Sequence, residues 1–357
     1  VRVPVIDFHT HVFPQYADLA VQVMDLTGIA TSVVLAWHDG FGEGLDRHFA
    51  AFDRHAGRFI VFGNVDFRRI NETGFGQTAA KQLELGAARG MRGLKVYKNL
   101  GLELRKPDGT FWRPNDPELD SLWAMAGELQ LPVLIHSADP PAFWEPVNEA
   151  NFWNGVLHDE YAWWSYYGKE TPTPQELLAD RLEVAARHPK TTFIFPHVGD
   201  KAESLECAAQ DLDSFPNILY DLSARLPDLA RTARQAALAR EFVQTYAERI
   251  VFGTDMIFDD TNVPTGQQAQ ILYQPGEIPL NGANPEKRYV QTSVDFVRSN
   301  LEFLTSDAIQ HNPPFRRSRA PWALHGLGLS SEVVERIVFH NAKNLLETHG
   351  RSGPPKR

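Results

Sequence analysis

The chain has 357 residues, 43% of them hydrophobic and 22% charged, with a formal net charge of −10. That length suits one large core or two ordinary domains, and an acidic balance with no basic block or stripe argues against a nucleic-acid surface. A single cysteine, Cys207, excludes an intramolecular disulfide and leaves nitrogen and oxygen as the donors for any metal; no run approaches the ~20 apolar residues of a membrane span.

Buried strands and amphipathic helices alternate along the chain. The first predicted strand, Val3–Phe8, is a short β-branched apolar run that leads into His9-Thr10-His11, with Pro14 beyond. Side chains on extended backbone alternate faces, so the two imidazoles point the same way and make half of a metal site. Further strands are expected at Ser32–Trp37, Phe59–Val65 and Gly93–Tyr97. Asp116-Pro117 then opens a helix with Leu119, Leu122, Trp123 and Ala126 at helical spacing. Strand five is Pro132–His136, followed by an aromatic-rich insertion over 140–172 that carries Trp153, Trp163 and Trp164. Thr173-Pro174-Gln175-Glu176 is a capping box before Leu177, Leu178 and Leu182. Thr192–His197, Ile218–Leu222 and Ile250–Gly253 complete the strands, and Cys207 reads as a small packed side chain. Stretches 256–292 and 307–328 are irregular, and a last helix follows them.

Eight strands alternating with helices imply a parallel sheet, and that number closes a (β/α)8 TIM barrel. The expected unit is one barrel over 1–349, with long loops after strands five and eight, an extra C-terminal helix and a tail at 350–357. An open doubly wound sheet is the runner-up, but no Gly-rich loop follows the first strand.

In a barrel, the ends of strands one, five, six and eight meet at one mouth, bringing together His9, His11, His136, His197 and Asp255. Each has a bland reading alone: a histidine at a strand end is commonly hydrogen-bonded or exposed, and Asp255 suits a helix cap. Together they read as a catalytic metal centre of nitrogen and oxygen ligands. Lys95 on strand four and Arg225 after strand seven are candidate cations for an acidic substrate. Trp37, His38 and Trp164 are candidates for a wall against a planar one.

The motifs Asp7-Phe8-His9-Thr10-His11, Leu134-Ile135-His136, Phe195-Pro196-His197, Gly253-Thr254-Asp255 and Ile337-Val338-Phe339-His340-Asn341-Ala342 resemble the amidohydrolase superfamily, in its amidohydrolase-related branch. The resemblance covers about residues 3–348. It implies that His9, His11 and Asp255 ligate a divalent metal, that His136 is a further ligand, and that His197 is a ligand or the general acid/base. Some superfamily members bridge two metals with a carboxylated lysine on strand four, where Lys95 stands. The plain alternative is a lysine paired with a carboxylate inside the barrel, and Lys98 is expected on the opposite face.

The expected activity is metal-dependent hydrolysis of an amide, ester or lactone, with Asp255 and His197 handling the proton. A non-oxidative decarboxylase of an aromatic or unsaturated acid is the rival, and a non-catalytic binding barrel the third reading. One ion is expected, zinc by default, with Mn2+ and Fe2+ open. The expected partner is a small-molecule substrate, with neither nucleic acid nor membrane; the resemblance implies a homodimer. A soluble, cytoplasmic protein is expected, although a start at Val1 is compatible with a removed signal peptide.

Overall fold

The computed structural model of the protein describes residues 2–158, 162–265, 284–310 and 323–348. Its main sheet comprises β1 (Val5–Val12), β2 (Ile29–Leu35), β3 (Phe59–Gly63), β4 (Gly93–Val96), β5 (Val133–Ile135), β6 (Phe193–Phe195), β7 (Ile218–Asp221), β8 (Ile250–Val251) and β9 (Met256–Phe258). The strand order is β8-β7-β6-β5-β4-β3-β2-β1-β9, and every pairing in it is parallel. From β1 to β8 each strand therefore lies beside its neighbour in sequence, as a singly wound barrel requires, and β9 lies on the far side of β1.

The segment 250–258 closes the ring. On one side Ile250 and Val251 pair with Tyr220 and Asp221 of β7. On the other, Phe8 N–H donates to Phe252 O at 2.8 Å, Asp255 N–H donates to His9 O at 2.7 Å, and Met256–Phe258 pair with Thr10–Val12. The last strand is thus β8 and β9 in series, bent at Gly253–Asp255. A Cβ at Gly253 would stand 2.7 Å from His9 Cβ, so the bend needs glycine for its closeness to β1.

Helices between strands bury one face each. The helix Phe75–Arg89 buries Phe75, Ala79, Ala80, Leu83 and Gly86, at spacings of three and four, and ends at Gly90 with φ +113°. The capping box at Thr173 forms as the sequence predicts: Thr173 Oγ1 accepts from Glu176 N–H at 3.2 Å, and Glu176 Oε2 accepts from Thr173 N–H at 2.8 Å.

Inside the barrel, Ile6, Phe8, Val33, Leu35, Phe62, Leu134, Ile194 and Val251 form one apolar cluster. Ala342, Leu345 and Leu346 of the helix Asn341–Thr348 join that cluster. Asn341 fixes the helix by donating to Ala247 O at 2.6 Å and Ile250 O at 2.7 Å.

Several boundaries differ from the sequence reading. β1 runs to Val12, so the histidine pair lies within the strand, where pairing to β2 and β9 extends it past Phe8. The stretch 256–292, read as irregular, begins with β9 and ends inside the helix Pro285–Thr305. Residues 309–310 pair antiparallel with 324–325 inside the third irregular stretch. Cys207 is exposed rather than packed. The expected tail, 350–357, lies outside the described residues.

Candidate metal centre

β1 changes register against β2 between Asp7 and Thr10. Ile6 and Phe8 join the barrel core, and beyond the shift His9 and His11 face the mouth. Asp7 holds this irregularity. Its carboxylate accepts from His9 N–H at 3.3 Å, Thr254 N–H at 3.0 Å and Thr254 Oγ1 at 2.6 Å, joining β1 to the bend that carries Asp255. Burial pushes the Asp7 carboxyl up to about 7, although the bonds from Thr254 pull the other way.

Asp255 Oδ1 lies 3.3 Å from His9 Nε2 and 3.2 Å from His11 Nε2. The opposite ring nitrogens are already engaged. His11 Nδ1 donates to Leu35 O at 2.8 Å, and His197 Nδ1 donates to Ser223 O at 3.0 Å. Carbonyls only accept, so these partners place the proton on Nδ1 and leave Nε2 with its lone pair. His9 Nδ1 meets Asp221 Oδ2 at 2.8 Å, which has the same effect. Among the described residues His136 Nε2 is buried without a hydrogen-bond partner, with Asp139 Oδ1 3.9 Å away. Its ring stands 4.5 Å from that of His197, which is 5.2 Å from that of His9.

Burial lowers the pKa of His11, brings His197 to about 4, and takes His136 well below its ordinary value, with His197 adding to it. Burial also opposes ionisation of Asp255, but the imidazoles of His9, His11 and His197 outweigh it and hold the carboxyl below its usual range. A cation requires neutral imidazoles and an ionised carboxylate, and the shifts of His11, His136, His197 and Asp255 run in that direction. His9, His11 and Asp255 offer donors within 4.8 Å of one another, and the unpartnered His136 Nε2 belongs to the same mouth. This set fits a divalent cation of the zinc, manganese or iron kind. His9, His197 and Asp221 also lie close together, but the Nδ1 atoms there are used in bonds with Asp221 and Ser223.

Left-handed backbone borders the mouth. Asp255 has φ +62°, Ala224 +58° and His197 +60°, and His197 begins a run in which Val198, Gly199 and Asp200 are also left-handed. Such a conformation costs an L-residue about 1–2 kcal/mol, and strain of this kind gathers where geometry serves function.

The cleft above the centre opens to solvent and, counted together with the open space at its mouth, spans about 970 Å³. Trp37 stacks on His11 at 4.4 Å and on Tyr97 at 5.3 Å, while Trp153, Trp163 and Trp164 supply the far wall. Three cations line it. Arg225 is shared among Asp228 at 3.2 Å, Asp200 at 3.5 Å and Glu203 at 3.9 Å. Lys98 is paired with Asp139 at 2.5 Å. Lys95 is 1% exposed, and among the described residues no carboxylate oxygen lies within 4.0 Å of its Nζ, which sits 4.8 Å from the Tyr97 ring centroid. Burial draws its pKa down to about 8, against the pull of Asp255, Asp221 and Asp200.

The structure thus brings His9, His11, His136, His197, Asp255, Lys95, Trp37, Trp164 and Arg225 to one cleft. His38 is a partial correction: it is exposed and does not itself line the cleft, yet its ring stands 4.7 Å from that of Tyr97, which does. Lys98 is a correction too. β4 ends at Val96, so strand alternation no longer governs Lys98, and it reaches the same cleft as Lys95. The paired-lysine reading of Lys95 also fails by the distance above, and the carboxylates around Arg225 leave it little free charge for a substrate. Asp7, Tyr97, Asp139, Asp221 and Ser223 were not singled out in sequence. A polar residue ending an apolar run, as Asp221 ends Ile218–Asp221, is the signal that would have found one of them.

A parallel barrel with three imidazoles and an aspartate facing one another at its mouth defines a barrel enzyme built around a divalent-cation site. The amidohydrolase family profile matches residues 6–347, and the chain belongs to that family. No curated protein matches the chain. Among solved structures it is similar to an uncharacterized TIM-barrel protein from Bordetella bronchiseptica, at 13% identity and TM-score 0.54, covering 98% of this chain and 100% of that one. It is also similar to a dihydroxybenzoic acid decarboxylase from Polaromonas sp. JS666 solved with manganese and 2-nitroresorcinol, at 15% identity, TM-score 0.54, and 96% and 97% coverage. The 2,6-dihydroxybenzoate decarboxylase from Rhizobium is similar at 14% identity, TM-score 0.52, and 97% and 99% coverage. At these identities the likeness establishes the fold.

Proposed function

We propose that this protein is a metal-dependent hydrolase that cleaves an amide, ester or lactone bond of a small, planar, anionic substrate. The observation that carries this reading is the geometry of the mouth: Asp255 Oδ1 stands 3.3 Å and 3.2 Å from the Nε2 atoms of His9 and His11, and His197 Nδ1 is engaged by Ser223 O, which leaves its Nε2 as an acceptor. Both groups are proton acceptors there, which suits the activation of water. Decarboxylation ends instead with a proton delivered to carbon, for which Lys95, its pKa drawn down to about 8, is an acid that lines this mouth.

His9, His11, Asp255 and His136 would hold the cation, with zinc inferred and manganese or iron suited to the same donors. A bound divalent cation supplies Lewis acidity, lowering the pKa of water toward ~7 and polarising a carbonyl oxygen. Asp255 then accepts the proton of the attacking water, and His197 Nε2 is placed to receive or relay it. Lys95 offers its ammonium to an anionic group, while Trp37 and Trp164 flank a planar body and limit water.

Decarboxylation remains the second reading, favoured by Lys95 and the aromatic walls, which suit an aromatic carboxylate, and by the decarboxylases that share the fold. Zinc- and manganese-loaded protein is to be screened against esters, lactones, amides and aromatic acids in H2(18)O. Hydrolysis places the label in the product acid; decarboxylation releases CO2 and overturns the first reading. Asp255→Asn is expected to lower kcat by at least ~100-fold, and wild-type turnover in that variant removes Asp255 from the role.

A further inference from the structure

His197 opens a turn of unusual backbone. His197, Val198, Gly199 and Asp200 have φ of +60°, +58°, +62° and +52°. L-residues visit this region singly, and for a β-branched residue such as Val198 it is an outlier. Within the turn, Asp200 N–H donates to His197 O at 3.1 Å and Lys201 N–H donates to Val198 O at 3.2 Å. A Cβ at Gly199 would stand 2.6 Å from the Tyr220 ring, so the turn is pressed against β7.

Arg181, on the helix Pro174–Arg187, holds the turn from the other side and is fully buried. Its guanidinium lies 4.4 Å from the centroid of Phe195, two residues before His197. Its Nη2 donates to Gly199 O, and its Nη1 donates to Asp200 Oδ2 at 3.0 Å. One planar fork therefore grips the chain before and after His197. Arg225, at the cleft, approaches Asp200 Oδ1 at 3.5 Å. Packing alone does not ask for a charge here, because apolar side chains of similar volume commonly replace a buried ion pair at no cost in stability. Arg181 Nε also lacks a hydrogen-bond partner among the described residues.

We propose that Arg181 is a positioning residue: its fork clamps the left-handed turn 197–200 and thereby fixes the ring of His197 with Nδ1 on Ser223 O and Nε2 toward the mouth. The assignment concerns the same centre as the proposed function, but its test does not depend on turnover.

Long-range 1H–15N spectra of the full-length, chelator-treated protein report the tautomer of each histidine, and His197→Gln assigns the His197 signals. The native protein is expected to show His197 as a single Nδ1–H tautomer. Arg181→Lys keeps the charge and loses the fork. It is expected to convert the His197 signals to a mixture of tautomers while those of His9 and His11 stay native. Native His197 signals in folded Arg181→Lys overturn the proposal. If that variant does not fold, Asp200→Gly removes an acceptor of the clamp while tolerating the left-handed backbone, with the same expectation and the same overturning result. Failure of both to fold overturns it as well, in favour of a purely structural role. Absence of any hydrolytic activity would bear on the proposed function and leave these spectra unaffected.

Discussion

Asp221 accepts from His9 Nδ1 at 2.8 Å, from His197 N–H at 3.1 Å and from Ser223 Oγ at 2.5 Å, so one carboxylate orients the ring of His9 on β1 and holds the backbone of His197 beyond β6. Burial alone would raise its pKa, yet the His9 imidazole brings it down to about 2, so it is ionised wherever the protein works. Partners of this kind set ring orientation and ligand basicity, and their loss commonly lowers metal affinity 10–100-fold. Asp221→Ala is therefore expected to weaken zinc binding by about that factor, as read by competition with a chelator; native affinity would mean that His9 is oriented by its other contacts. His9, His11 and Asp255 were legible in the sequence because alternation and strand ends place them. Asp221 was not, since nothing local says which neighbour a buried aspartate meets. His38 adjoins Trp37 in sequence and both rings meet Tyr97, but only Trp37 also stacks on His11 and lines the cleft.

At the scale of elements, local signals held where local physics decides. The box at Thr173 forms because Thr173 and Glu176 satisfy each other's backbone N–H groups at the start of the helix Pro174–Arg187. Thr173→Ala is expected to cost about 1 kcal/mol, read as a lower midpoint in urea with an unchanged slope. An unchanged midpoint would show that neighbours already fix that helix end. The strand boundaries were less legible. β1 extends to Val12 because β2 and β9 offer it partners, and Lys98 faces the cleft because β4 stops early. Both are consequences of pairing, which the sequence of one strand does not contain.

For the whole molecule, buried charge links stability to pH. Burial, reinforced by Glu203, raises Asp228 to about 7 from its ordinary 3.8. Between those values the folded state keeps a proton that the unfolded chain has lost, so Asp228's contribution to stability is present below about pH 4 and fades as pH climbs through about 7. Asp228→Asn does not titrate. The Tm of this variant relative to the native protein is expected to rise from about pH 4 to about pH 7 and then level off; a difference independent of pH would show that Asp228 is ionised throughout. The sequence by itself determined the alternation of strands and helices, the barrel it implies, the nitrogen and oxygen character of the centre, and the histidines and aspartate at the strand ends. These follow from periodicity and residue chemistry, which are local. Only the tertiary structure decided that 250–258 closes the ring, that carboxylates occupy Arg225 and Lys98 but not Lys95, that Asp221 and Ser223 hold the rings, and that Arg181 grips the turn at His197. Each of those is a meeting of side chains far apart in the chain, and closure of the barrel is what brings them within a hydrogen bond of one another.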